Sequence, residues 1–196
     1  MKLRLPLLAI LIAAAAATPF AAPAADLSRA VVLIAKRDLQ DRLYGATIVV
    51  ARPVGNRHVG LIINKPTQMT LGNLFPNHPP SRKVTQPVFL GGPVGPEVIF
   101  ALVQRRESPG GRSLQIAPDL FLAVDSKIVD AIIESEPDRA RFFAGMVLWM
   151  PGELAQEVKR GLWFVNDANA ELVLRRKTDG LWEELVGRSE RRANTI

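Results

Sequence analysis

Between Val31 and Val165 the apolar runs are short, and a proline or glycine break ends almost every one of them. The breaks are 53–57 around Gly55-Asn56, Asn64-Lys65-Pro66, Gly91-Gly92-Pro93-Val94-Gly95-Pro96, 108–112, Pro118-Asp119, Pro137 and Met150-Pro151-Gly152. Runs of strand length rich in Ile, Val and Leu and bounded by turn formers read as strands. Strands joined by breaks of a few residues pair as antiparallel hairpins, because parallel neighbours need a much longer crossover. The expected fold class is α+β: a single compact domain built on a mostly antiparallel mixed sheet, with a few short helices packed on it.

The spacing predicts strands over 31–35, 46–51, 58–64, 87–90, 98–104, 142–149 and 162–165, and a strand pair over 114–124 interrupted at Pro118-Asp119. The period changes after Asp125-Ser126, where Ile128 with Ile132 and Val129 with Ile133 stand at i,i+4, so an amphipathic helix is predicted up to Pro137. The best-punctuated helix spans 152–160: Pro151 and Glu153 suit its first turn, Lys159 and Arg160 its last, and Gly161 its left-handed stop. Leu154 and Val158 are expected to face inward, with Glu153, Glu157 and Lys159 solvated. The segment after Pro66 reads as loop, with at most a short helix over 71–74. Helices are expected over 170–175 and for a turn or two over 181–186, followed by a basic flexible tail at 188–196.

Ahead of the domain, Lys2 and Arg4 precede an apolar run over 5–17, and small residues continue to Ala25 before the first acid, Asp26. This is the layout of a secretory signal peptide, and the run falls short of the roughly 20 residues a membrane helix needs. Ala22-Pro23-Ala24 places small residues at the positions the cleaving peptidase reads. The expected organisation is a leader over 1–24, a domain over 25–187 and the tail, with a periplasmic or secreted address and no integral membrane span after signal cleavage.

Cysteine is absent, which excludes disulfides, thiol catalysis and cysteine metal sites. The net charge is +6, and without Lys2 and Arg4 the balance falls to 23 bases against 19 acids, spread along the chain. Such a balance suits an anionic polymer or simply a solvated exterior. Arg175-Arg176-Lys177 and Arg191-Arg192 lie among Asp179, Glu183, Glu184 and Glu190 with few aromatics, so nucleic acid is an unlikely partner.

No catalytic, cofactor-binding or metal residue is assigned. His58 and His78 are the only histidines, and neither has a partner at ligand spacing. A Gly-x-Ser-x-Gly nucleophile turn is missing. Asp130 with Glu134, and Glu153 with Glu157, share helical faces, a placement that usually means solvated carboxylates. Gly91-Gly92 lacks the lysine that completes a phosphate loop and reads as a tight turn or close backbone crossing. Trp149 and Trp163 read as core packing.

Three segments together resemble the YqgE/AlgH family: Gly60-Leu61-Ile62-Ile63-Asn64-Lys65-Pro66, Gly91-Gly92-Pro93-Val94, and Gly145 through Trp149 to Gly152-Glu153-Leu154 with Glu157 and Trp163 beyond. Leu33-Ile34-Ala35 and Thr47-Ile48-Val49 extend the match forward. The resemblance implies a small single-domain bacterial protein, of a family with no established biochemical activity and a name that records a proposed regulatory role in alginate production. Val103 stands where many members carry a histidine, Glu153 where glutamine is usual, and Leu148 where a glycine precedes the tryptophan. The leader departs from the cytoplasmic address expected of the family. The leading expectation is a non-enzymatic binding or accessory protein of the cell envelope, its partner a protein or an anionic polymer. The alternatives are an AlgH-type transcriptional or regulatory protein and a carboxylate-dependent enzyme.

Overall fold

Val31–Ala35 (β1) is apolar at every position, and both of its faces are buried. In the computed structural model, which describes residues 25–195, Val32 and Ile34 point into one core while Val31, Leu33 and Ala35 point into another. A strand covered on two faces has no use for alternation, hence the unbroken apolar run. The leader read over 1–24, with its cut after Ala24, lies outside the described residues.

β1 is flanked by Ile48–Val54 (β2) and by Trp163–Asp167 (β10), both antiparallel to it. β2 turns through Gly55 (φ 61°) into Arg57–Ile62 (β3), the hairpin expected from Gly55-Asn56. Further along come Pro66–Thr70 (β4), Pro87–Leu90 (β5), Val94–Gln104 (β6), Leu114–Ala117 (β7), Leu120–Ala123 (β8) and Ala140–Trp149 (β9). The strand order is β10-β1-β2-β3-β9-β6-β8-β7, with β5 beside β9 and β4 outside β5. Only the β5–β9 pairing is parallel, so the sheet is mixed and mostly antiparallel, as expected.

β9 is the seam. Its first half pairs with β6, from Val103↔Ala140 to Ile99↔Ala144, and its second half with β3, from Gly60↔Val147 to His58↔Trp149. Gly145, at φ 70°, lies between the halves. Here the β5 end crosses β9: a Cβ on Gly91 would overlap the Gly145 carbonyl, and one on Gly92 would overlap the Met146 backbone. Gly91 donates to Ala144 O at 2.8 Å and accepts from Ile62 N at 2.8 Å, so its backbone groups are engaged in the crossing. Gly91-Gly92 is thus the close backbone crossing, not an anion cradle.

The helices are Leu71–Leu74 (α1), Pro79–Arg82 (α2), Ser126–Ser135 (α3), Glu153–Lys159 (α4), Ala170–Val173 (α5) and Leu181–Ala193 (α6), with a 3₁₀ turn at Pro137–Arg139. Val173, Leu181, Leu185 and Val186 of α5 and α6 cover one side of the sheet, meeting Ile34, Leu61, Leu102 and Phe143. α3 sends Val129, Ile132 and Ile133 against Ala101, Val103, Phe121 and Phe142 on the opposite side. α4 places Leu154 with Leu33, Ile62, Trp149 and Trp163. Val103, where relatives were expected to carry a histidine, is fully buried beneath α3.

Three expectations are corrected. The stretch after Pro66 holds β4 and α2 besides α1, because proline is tolerated as the first residue of a strand and at the start of a helix. β6 begins at Val94, not Val98, with a register shift between Val94 and Ile99. The segment expected to be a flexible tail continues α6 to Ala193. Glu184–Arg188 at 3.0 Å and Arg37–Glu190 at 2.9 Å support its exposed side.

Candidate functional site

Two groups of side chains carry chemistry. The first is the segment from Trp149 to Trp163. α4 starts at Gly152 in the left-handed conformation, and Glu153 Oε2 accepts the Met150 N–H at 2.8 Å, closing the turn that Pro151 begins. Leu154 is fully buried and Val158 packs against the same core. Glu157 corrects the expectation of a solvated carboxylate: its Oε2 accepts Trp149 Nε1–H at 3.0 Å and Trp163 Nε1–H at 2.8 Å. Two indoles buried for their area still need an acceptor for each N–H, and one carboxylate oxygen serves both. Tyr44 stacks edge-on to Trp163 at 6.5 Å, and burial, then the Glu157 charge, push its hydroxyl pKa up. The cleft between these groups holds only about 80 Å³, well below the volumes of roughly 300–1,000 Å³ common to small-molecule sites.

The second group surrounds a cavity of about 490 Å³ on the α3 side of the sheet. Its floor is apolar: Val129 and Ile133 from α3, Ile99 from β6. Phe75 and Val98 stand at its walls, each 40% exposed. Its polar groups are His78 and Ser81 from α2, Glu97 from β6, and Ser126 and Asp130 from α3.

Local sequence explains the placement. Thr70 and Asn73 cap α1 reciprocally, Thr70 Oγ1 accepting Asn73 N–H at 3.2 Å and Asn73 Oδ1 accepting Thr70 N–H at 2.9 Å. Pro79 and Pro80 open α2, a single turn over the cavity, and with Pro76 they keep it from joining α1. Asp125 caps α3 by accepting Lys127 N–H at 3.0 Å, which points Asp130 and Glu134 along its outer face.

His78 Nδ1 lies 2.8 Å from Ser81 Oγ, and His78 Nε2 lies 3.7 Å from Glu134 Oε1. The order carboxylate–imidazole–hydroxyl is that of a hydrolytic triad, but Ser81 is completely buried. A nucleophile has to face its substrate. Here the serine fixes the imbedded side of the imidazole ring, and the ring edge faces Glu134.

The remaining candidates are dispersed. His58 Nε2 is 3.0 Å from Leu27 O, on the strand opposite Trp149. Arg175 pairs with Glu184 at 2.9 Å and Arg176 donates to Asp138 O at 2.8 Å, so two of the three basic residues are tied to an acid or to backbone. Among the described residues no three His, Cys, Asp or Glu converge as a metal site would require. Sequence reading singled out His78 by itself and Asp130 with Glu134 as a pair on one helical face; it missed Phe75, Ser81, Glu97 and Val98. No spacing in the sequence links these four residues, which come together only in the folded chain.

Residues 32–193 match a family model described as AlgH-like. The chain belongs to the AlgH-like family. A UPF0301 protein of Chlamydia muridarum is 30% identical over 84% of this chain and 87% of its own length. One from Myxococcus xanthus is 30% identical over 78% and 85%. The solution structure of the AlgH protein from Pseudomonas aeruginosa superposes with a TM-score of 0.68 at 18% identity, covering 89% of this chain and 92% of that one. The crystal structure of DIP2367 from Corynebacterium diphtheriae gives 0.66 at 21% identity, over 82% and 86%. These likenesses establish the family fold.

Proposed function

We propose that this AlgH-like protein is a non-enzymatic binding or accessory protein of the cell envelope, and that the cavity between α2, β6 and α3 is its ligand seat. The observation that carries the binding role is that cavity: about 490 Å³, apolar at its floor, with a few convergent polar groups, within the range of roughly 300–1,000 Å³ common to small-molecule sites. The inaccessible Ser81 supports a binding role over a hydrolytic one. Support for the envelope address comes from the Lys2–Arg4 start, the apolar run and Ala22-Pro23-Ala24.

Intact-mass measurement on fractionated cells tests the address. The expected product begins at Ala25 and lies outside the cytoplasm; a cytoplasmic protein that keeps Lys2 and Arg4 overturns it. The binding role is tested by Val98→Trp, which introduces bulk into the cavity from an exposed position. Partners captured from envelope extract by the wild-type domain are expected to be lost with this variant. An identical captured set removes the cavity from the reading.

A further inference from the structure

We infer that the cavity takes a small organic cation, an ammonium group carried on an apolar body. This inference rests on the cavity being the ligand seat, and it adds the ligand's chemistry. The charged residues lining the cavity are both acids, Glu97 and Asp130, and no lysine or arginine lines it. Glu134, one turn beyond Asp130 on α3, adds a third carboxylate beside His78. This local excess runs against the net charge of the protein, which is +6. Neither Glu97 nor Asp130 has an ion-pair partner among the described residues, so both carboxylates are open to an incoming cation.

The apolar part of the ligand is specified by Phe75 and Val98, left open to solvent at the walls, and by Val129 and Ile133 beneath them. Burying an aliphatic or aromatic body there removes apolar surface from water on both partners. The charged end then meets carboxylates beside a low-dielectric floor, where a charge-assisted hydrogen bond is stronger than in open solvent. The N-terminus of α3, which would favour an anion, is already capped by the Asp125 carboxylate.

Three probes share a phenylethyl skeleton and differ in charge: phenethylammonium, 2-phenylethanol and 3-phenylpropionate. Each is titrated into the mature domain, with backbone amide NMR shifts locating the site and giving Kd. Phenethylammonium is expected to shift amides around Phe75, Val98 and Val129, and to bind about tenfold or more tighter than 3-phenylpropionate. Glu97→Gln combined with Asp130→Asn should weaken phenethylammonium by about tenfold or more and leave 2-phenylethanol within about twofold. Both residues are exposed, so the variant's fold is secure and its amide spectrum checks it. Equal or tighter binding of 3-phenylpropionate, or unchanged cation affinity in the double variant, overturns the ligand class while leaving the cavity as a seat. If none of the three probes shifts the cavity amides, the seat and the ligand class fall together.

Discussion

Glu157 offers the sharpest quantitative test of how the motif around Trp149 is held. One oxygen accepts two indole N–H groups at 3.0 and 2.8 Å, from rings that are 3% and 5% exposed. A hydrogen bond to a charged group contributes about 1.5–3 kcal/mol, and a buried donor left without a partner costs about 1–3 kcal/mol. Glu157 is itself only half-buried, so water can reach part of the site and the lower end applies. Glu157→Ala is therefore expected to lose about 3 kcal/mol. Glu157→Gln keeps an acceptor oxygen but not its charge; with charge-assisted bonds roughly twice as strong as neutral ones, the loss should be about 1.5 kcal/mol. Urea unfolding followed by far-UV circular dichroism gives both values. Tryptophan emission should shift to the red in Glu157→Ala as the indoles loosen. A loss below about 1 kcal/mol for Glu157→Ala would refute the reasoning, since it would mean that water satisfies both indoles equally well.

Other consequences follow from the packing. Leu154→Ala, at a fully buried position, should cost about 2–5 kcal/mol in urea unfolding, whereas Glu153→Gln, which keeps the acceptor for Met150 N–H, should cost well under about 1 kcal/mol. Gly92→Ala should prevent accumulation of folded protein, because its Cβ would overlap the Met146 backbone; Gly152→Ala, with open space around it, should fold with a loss of about 1–2 kcal/mol from its φ of 79°. Amide NMR spectra of the two variants distinguish these outcomes. Arg141 is buried, donates to Val173 O and Ile63 O at 2.6 Å each and stacks 3.9 Å from the Phe89 ring, while burial lowers its pKa to about 10. Arg141→Ala should cost about 3–5 kcal/mol by stranding two carbonyls and opening a void, and Arg141→Met less, because it restores only the packing. Equal losses in thermal or urea unfolding would contradict that division.

Much of the scaffold was legible because its signals are local. The Gly55-Asn56 hairpin, the Asp125 cap with its i,i+4 apolar pairs, and the Pro151-to-Gly161 punctuation each fix an element within a dozen residues. β4 was hidden because Pro-Thr-Gln-Met-Thr is polar and pairs on one edge only. The reach of α6 was hidden because Leu181, Leu185 and Val186 anchor a helix whose later turns are held by ion pairs, which in sequence look like a charged tail. Arg141 gave no warning at all, since its partners sit on β3's end and on α5. The cavity was illegible for the same reason: His78 and Glu134 meet only after α3 packs on β6, and no spacing rule links them.

The last helix covers the first strand. Trp182 Nε1–H donates to Ala35 O at 2.8 Å across 147 positions of chain, and Leu185 and Val186 close the core over Val32 and Ile34. A chain emerging from its N-terminus therefore keeps one face of β1, that of Val32 and Ile34, without its last cover until nearly the whole length has been delivered. Contacts of such long range form slowly, since the loop must close before they reward it. If the proposed signal directs export, such a delay would keep the polypeptide threadable until its far end arrives. A stop a few residues before Trp182 would leave the Val32 and Ile34 face of β1 uncovered, with every strand present and the other face still packed.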